Sequence, residues 1–538
     1  MGGDHDRGSL LDHCRHLRGS RCRPLLRRVD GQPVSARTDA LTSWHDDWSG
    51  LRVAVLGLGM TGFSVADTLA ELRAELLVLA GAHDEDRERI LDVLGVRYLI
   101  EPGLPEVPQE LRKFAPELVI ASPGFAPHHP IYAWAVEQGI PVWGDLELAW
   151  RLRDKTGTAP KWLAVTGTNG KTTTTQLAAY MALADGLRAA PCGNIGVPIL
   201  DAIRDPEGFD VLVVECSSYQ LHSTHTMAPD AAVVTNIADD HLDWHGNAEA
   251  YRRAKGRVYE RTKTACVYNL ADEATRRLVE DADVEEGCRA IGVGLGVPSP
   301  SDFGVVDGVL VDRAFLEARR TSALEIGTIE QLAARRMLAP HLVFDVLAAA
   351  ALVRAIGVSP EAVARAIDTF QVDPHRNQFV RELNGVEWID DSKATNPHAA
   401  AASLGAREHV VWIVGGLLKG VDIAPLVRDH AKRLRAAIVI GRDRREVLAA
   451  FEQHAPEVPL VEIQVDETEA VMLQAVAHAA RLAQAGDTVL LAPAAASMDQ
   501  FKSYSDRGEH FAEAVHNLGE APHVEASTED GNDSTDER

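Results

Sequence analysis

The chain is 538 residues long, carries a formal net charge of −25 and is 46% hydrophobic. Such a length holds about three or four domains with ample core, and the negative balance excludes a nucleic-acid partner, whose phosphates need a basic footprint to release counterions. No uninterrupted apolar run reaches the roughly 20 residues that cross a bilayer; even 342–358 is broken by Asp345 and Arg354, so no membrane partner is expected.

Residues 1–49 are Arg-rich and lack the apolar segment of a secretory signal, so they are expected to form a flexible basic extension. Leu51–Leu56 reads as a strand, followed by GLGMTG (Gly57, Gly59, Met60, Thr61, Gly62) and a helix from Phe63 to Leu72. GxGxxG between strand and helix is the dinucleotide fingerprint. The next strand, Glu75–Leu79, ends in Ala80 and Gly81, where a nicotinamide site would need an acid for the ribose. The turn therefore predicts phosphate binding without NAD. A strand over Leu118–Ala121 leads into Ser122-Pro123-Gly124, either a ligand-facing turn or an ordinary connection. The first domain is taken as 50–146.

The second, 147–372, is expected to alternate strands with helices. Trp162–Val165 is a strand that feeds Gly167, Thr168, Asn169, Gly170, Lys171, Thr172 and Thr173. The two glycines let backbone amides approach an anion, Lys171 brings positive charge, and Thr172 offers a hydroxyl to Mg²⁺ at a helix N-terminus. Val165 stands where the usual phosphate loop has its first glycine. Asp210–Cys216 reads as a buried strand ending in Glu215, suited to hold Mg²⁺ or orient water. After the strand Ala231–Asn236 comes His241 among Asp239, Asp240 and Asp243, read either as a metal or substrate site or as a solvated acidic turn.

The third domain, 373–520, opens with His375 and Arg376 and continues through a strand, Val386–Ile389, into the polar run Asp390–Ala400. Strands over Val410–Val414, Ala437–Ile440 and Thr488–Ala492, each followed by glycine or a small polar loop, predict a second doubly wound sheet facing the phosphate loop. Residues 521–538 are acidic and apolar-poor and are expected to be disordered. The fold class is therefore α/β: a Rossmann-like N-terminal domain, a central P-loop-type ATPase sheet with flanking helices, and a Rossmann-like C-terminal domain. Cys14, Cys22, Cys192, Cys216, Cys266 and Cys288 lack CxxC or CxH spacing, which indicates neither a disulfide framework nor zinc and fits a reducing cytoplasm.

The ordered set GLGMTG, SPG, GTNGKTT, GNIG, ECSSYQL, NIADDHLDWHG, YRRAK, HRN, DDSKATNP, GGLLKG and SMDQFKSY, spread over Leu51–Leu518, resembles the Mur ligases. The resemblance implies an ATP-dependent amide-bond ligase of peptidoglycan precursor synthesis. It would act through an acyl phosphate, with UDP-N-acetylmuramoyl-L-alanine and D-glutamate as substrates, and would be a cytoplasmic monomer. It further implies that Gly57–Gly62 and Ser122 line the UDP site and that Asn194 contacts the acceptor. Lys171 and Thr172 would meet phosphate and Mg²⁺, Glu215 would hold a first Mg²⁺, and His241 a second. Lys255 would be carbamylated by CO₂ and face the second metal. Asp391 and Lys393 would place ATP, with His375 and Arg376 at the hinge near the reacting groups. Thr395, Lys419, Ser497 and Tyr504 would hold D-glutamate.

Taken alone, Lys255 reads as a solvated lysine. Carbamylation needs a neutral amine, which Arg252 and Arg253 nearby would favour. Three positions depart from the family pattern: Leu342 and Asp345 stand where its HNxxN motif, here keeping His341, has asparagines, and Ala80 replaces the acid of the uracil pocket. The rival readings are a sibling Mur or folylpolyglutamate-type ligase, an NAD-dependent oxidoreductase and a non-catalytic nucleotide-binding protein.

Overall fold

The computed structural model describes residues 35–371, 373–465 and 467–519. The acidic tail and residues 1–34 of the basic extension lie outside the described residues. In the N-terminal part the apolar runs 53–56 and 76–80 are buried throughout, as strands covered on both faces must be. They belong to a parallel sheet of β1 (Arg52–Leu56), β2 (Glu75–Ala80), β3 (Arg97–Ile100), β4 (Leu118–Ala121) and β5 (Val142–Trp143), ordered β3-β2-β1-β4-β5. The order reverses between β1 and β4, so the turns at 57–62 and 122–124 share the edge where open α/β sheets bind ligands.

Close packing explains two glycines of that turn. Gly57 has φ +103, and a Cβ there would lie 2.8 Å from Ser122 Oγ; one on Gly62 would lie 2.1 Å from the Gly57 carbonyl oxygen. The helix begins at Met60 rather than at Phe63, because Gly59 is the extended residue before it, which puts Met60, Thr61 and Gly62 in the first turn.

The central sheet comprises β6 (Lys161–Thr166), β7 (Ala189–Gly193), β8 (Val211–Glu215), β9 (Ala231–Val234), β10 (Ala265–Asn269), β11 (Arg289–Val293), β12 (Asp302–Val306), β13 (Val309–Asp312) and β14 (Leu324–Thr328). Their order is β14-β13-β12-β11-β10-β9-β6-β8-β7, parallel from β7 to β12. The expected alternation of strands and helices breaks at β12–β14, an antiparallel meander. Asp307 and Gly308 alone join β12 to β13, both with positive φ, which makes a hairpin and leaves no room for a crossover helix. The helix Pro340–Ala355 is buried continuously from Leu342 to Val353 and packs on the helix Lys171–Ala184 that follows the phosphate loop.

The C-terminal sheet holds β15 (Gln378–Leu383), β16 (Val386–Asp390), β17 (Val410–Gly415), β18 (Leu434–Ile440), β19 (Leu460–Glu462) and β20 (Thr488–Leu491), ordered β15-β16-β20-β17-β18-β19. Only β15 runs antiparallel, through a tight turn at Asn384 and Gly385.

Residues 35–49, expected within the flexible extension, are instead folded onto the junction of the first two sheets. Leu41 and Trp48 are buried. Arg151 donates to the carbonyls of Thr38 and Leu41, Asp154 accepts from Ser43 Oγ and Trp44 N, and the Lys155 ammonium lies 4.3 Å from the Trp44 ring centre. Charge composition suggested a solvated arm; the buried aromatic and the backbone carbonyls capping Arg151 decide otherwise.

Candidate functional site

A cavity of about 850 Å³ opens where the C-terminal strand ends of the central sheet face the C-terminal sheet. Its centre is the turn between β6 and the helix Lys171–Ala184. Gly167 has φ +147, and a Cβ there would lie 1.9 Å from Thr235 Oγ1; Gly170 has φ +80, and a Cβ would lie 2.4 Å from Asp345 Oδ1. No other residue fits either position. Lys171 Nζ donates to the carbonyls of Gly167 (3.0 Å) and Thr168 (2.9 Å), which holds the ammonium at the mouth of the turn. Thr168, Asn169, Gly170, Lys171 and Thr172 line the cavity, whereas Thr173 is buried in the first turn of the helix.

Glu215, at the end of β8, is 1% exposed. Its Oε1 accepts from Asn194 Nδ2 (2.8 Å), while Oε2 is buried without a hydrogen-bond partner. A buried carboxylate oxygen left unpaired is costly unless a cation meets it, so Glu215 and the Thr172 hydroxyl fit a divalent ion. Among the described residues no three Asp, Glu, His or Cys side chains gather to hold a metal by themselves. Such an ion would draw further ligands from phosphate oxygens, as Mg²⁺ commonly does.

His241 is not at the end of a strand: β9 stops at Val234, and His241, with φ +53, precedes the single helical turn Leu242–His245. Its Nδ1 lies 2.6 Å from the Tyr219 hydroxyl and its Nε2 3.5 Å from Asp240. Burial pushes its pKa down to about 4 despite Asp240, with Lys419, Lys255 and Lys171 adding to the shift, so the imidazole is neutral near pH 7.

Lys255 is 2% exposed, and Nζ donates to the Gly167 carbonyl (2.7 Å) and Thr166 Oγ1 (3.3 Å) behind the phosphate turn. It is no solvated lysine. Burial first, then the charge of Lys171, push its pKa well below the ordinary value. Arg252 and Arg253 are not the cause: both are exposed, and Arg252 pairs with Asp239.

From the C-terminal sheet, Arg376, Asp391, Lys393, Thr395 and Tyr504 line the same cavity. Lys393 Nζ sits 3.9 Å above the Tyr504 ring. Asp391 accepts from Asn377 N (3.1 Å) and from Ser403 Oγ, and burial raises its pKa. His375 lies off the cavity wall with φ +64; its Nδ1 is 2.6 Å from Asp390 Oδ2, a contact that raises the imidazole pKa. Of the residues expected around D-glutamate, Thr395 and Tyr504 are on the wall, whereas Lys419 and the buried Ser497 are not. Gly57–Gly62 and Ser122 form a separate edge on the first sheet, joined to the centre by Trp244, whose Nε1 donates to the Pro123 carbonyl (3.1 Å) and whose ring stacks on Tyr219.

Several wall residues escaped the sequence reading. Asn236 brackets the turn from both sides, accepting from Asn169 N (2.9 Å) and donating to its carbonyl (3.0 Å). The side-chain amides of Asn169 and Asn396 bond reciprocally, joining the two sheets across the cavity. Asn269, the last residue of β10, and Asp272 just beyond it complete that wall. Polar residues just past apolar strands were the available signal. Asp345 and His341 are also on the wall.

A strand-end turn with a lysine, a lone buried carboxylate oxygen and a facing sheet of cationic groups define an α/β protein shaped to hold phosphate anions. Two family descriptions match the sequence: the Mur ligase middle domain over residues 165–352, and the Mur ligase glutamate ligase domain over 375–495. A UDP-N-acetylmuramoylalanine–D-glutamate ligase of Leifsonia xyli subsp. xyli is 60% identical over 490 residues, covering 89% of this chain and 95% of that protein. The enzyme of the same name from Streptomyces avermitilis is 51% identical over 479 residues, covering 88% and 99%. Among solved structures, a pseudomurein peptide ligase type C from Methanothermus fervidus superposes with a TM-score of 0.51 at 15% identity, covering 87% of this chain and 99% of that one. MurF from Acinetobacter baumannii gives a TM-score of 0.51 at 16% identity, with coverages of 88% and 93%. The chain belongs to the Mur ligase family.

Proposed function

We propose that the chain is an ATP-dependent, ADP-forming ligase that joins D-glutamate to UDP-N-acetylmuramoyl-L-alanine in peptidoglycan precursor synthesis. The supporting observation is the cavity in which Lys171 and Glu215 from one sheet face Arg376 and Lys393 from the other. The names of the relatives at 60% and 51% identity supply the substrates. In this reading residues 50–146 form a Rossmann-like domain that holds the UDP part through Gly57, Gly59, Met60, Thr61, Gly62 and Ser122. Residues 147–372 form a P-loop-type ATP domain, and 373–520 a Rossmann-like domain that brings D-glutamate through Thr395 and Tyr504. The enzyme works as a monomer in the cytoplasm, where ATP and the nucleotide sugar are at hand; among the described residues no helix is long and apolar enough to cross a membrane.

A carboxylate resists attack by an amine because its charge repels the nucleophile and oxide is a poor leaving group. Transfer of the γ-phosphoryl of ATP to the L-alanine carboxylate supplies a leaving group. That transfer depends on in-line positioning and charge neutralisation. The turn amides and Lys171 hold the phosphates, and Arg376 and Lys393 approach from the facing sheet. Mg²⁺, held by Thr172 and Glu215 and at a second position by His241 and a carbamylated Lys255, would neutralise charge on the transferring phosphoryl group. Burial and Lys171 push the Lys255 pKa well below the ordinary value, which favours the neutral amine that reacts with CO₂. Asn194 keeps the Glu215 carboxylate aimed, and the pairing of Asn169 with Asn396 brings the second sheet over the cavity to exclude water. The D-glutamate amine then attacks the acyl phosphate, giving amide and orthophosphate.

The test is orthophosphate release by purified protein supplied with ATP, Mg²⁺, acceptor and amino acid. Release is expected only with acceptor and D-glutamate together, one phosphate per new amide. Equal rates with L-glutamate, or release without amide, would sink the proposal.

A further inference from the structure

We propose that Cys266 and Cys288 form an oxidative modification site, a thiol pair that a hydroperoxide converts into a disulfide. β10 and β11 run side by side with Cys266 opposite Ala290. Cys288, two residues before Ala290, points to the same sheet face and is the diagonal neighbour of Cys266. The two sulfurs are 3.8 Å apart. A disulfide bond is about 2.05 Å long, so oxidation draws the two sulfurs together from that separation.

The pair is asymmetric in the way such chemistry needs. Cys266 is 1% exposed, whereas Cys288 is only partly buried. The two sulfurs share a hydrogen bond that, with the amides of Arg289 and Cys266, lowers the Cys288 pKa against the opposing effect of burial, while the Cys266 thiol is pushed up. Cys288 is thus the sulfur that meets peroxide, and Cys266 the one that resolves. Cys192 and Cys216 differ in both respects: each is fully buried, burial raises its thiol, and each bonds only to a backbone carbonyl. The partial exposure of Cys288 gives a small oxidant its way in, while Cys266 stays covered.

In the first step the Cys288 thiolate attacks one peroxide oxygen, the O–O bond breaks, and hydroxide leaves, giving a sulfenic acid. The Cys266 thiol then loses its proton and attacks the sulfenyl sulfur, and the departing hydroxide takes that proton as water. Two thiols lose two electrons and two protons, and one peroxide becomes two waters. The resulting bond closes the segment 266–288, which carries Asn269, Ala271, Asp272 and Glu273 on the wall of the main cavity. Oxidation therefore ties down one side of the nucleotide-facing wall.

The experiment treats the full-length protein with a small excess of hydrogen peroxide and maps the products by mass spectrometry. The expected product is two hydrogens lighter, with the Cys266 and Cys288 peptides joined, and it reverts with dithiothreitol. In Cys266→Ser, dimedone is expected to trap a sulfenic acid on Cys288; in Cys288→Ser, Cys266 is expected to stay unlabelled. Peptides joined through other cysteines, oxygen addition without the 266–288 link, or equal labelling of the two serine variants would overturn the proposal. Circular dichroism of both variants checks that they fold, so a difference in labelling cannot be ascribed to unfolding.

Discussion

Asp345→Asn should stabilise the protein, and by an amount that depends on pH. Asp345 is 2% exposed, and burial pushes its carboxyl pKa up to about 8 against the pull of Arg376. In the unfolded chain an aspartate titrates near ~3.9. Between about pH 4 and 8 the folded protein keeps a proton that the unfolded chain has released, so stability falls by about 1.4 kcal/mol per unit as pH rises. At pH 7 the accumulated loss is about 4 kcal/mol, and above pH 8 it levels off because both states are ionised. Asparagine has the same shape and no charge to bury. The variant should match the native protein near pH 4, gain up to about 4 kcal/mol near pH 7 and gain nothing more above pH 8. Urea midpoints of both proteins across that range would show it. A difference between midpoints that stays constant with pH, or widens toward acid, would refute the argument.

Lys171→Ala should lower turnover by about 10²–10³-fold, or about 2–4 kcal/mol of transition-state stabilisation, in the phosphate-release assay; near-normal turnover would remove the role given to it. Arg151→Met breaks a buried pair with Glu147 and strands the carbonyls of Thr38 and Leu41. It should cost about 3–5 kcal/mol in urea unfolding, and a loss under about 1 kcal/mol would show that residues 35–49 do not need that arginine. Gly508→Ala places a Cβ 2.2 Å from His375 Nδ1 and 2.6 Å from Asp390 Oδ2. It should lower stability by about 1–3 kcal/mol; native thermal stability would contradict the packing.

The geometry of the glycine turn was legible because everything it needs is contiguous: an apolar strand, two glycines, a lysine and a helix start lie within the run 162–173. The parallel sheets were legible for a similar reason, since buried strands read as apolar runs such as 211–214 and 410–414. The β12–β14 meander was not, because alternation of strand and helix was assumed where a two-residue turn closes a hairpin. Lys255 shows the limit most clearly. Its neighbours in sequence are exposed arginines, while its neighbours in space are Gly167 and Thr166, nearly ninety positions away.

The sequence by itself determined the local chemistry: which strand ends carry a glycine turn, a lysine or a carboxylate. Tertiary structure alone decided which of these act together. It set Asn194 against Glu215, Tyr219 against His241 and Asn396 against Asn169, and it left Lys419 and Ser497 off the cavity wall. The physical reason is that burial, and with it the protonation state of Lys255, His241 and Asp345, is a property of surroundings assembled from distant segments, and no run of neighbouring residues encodes it.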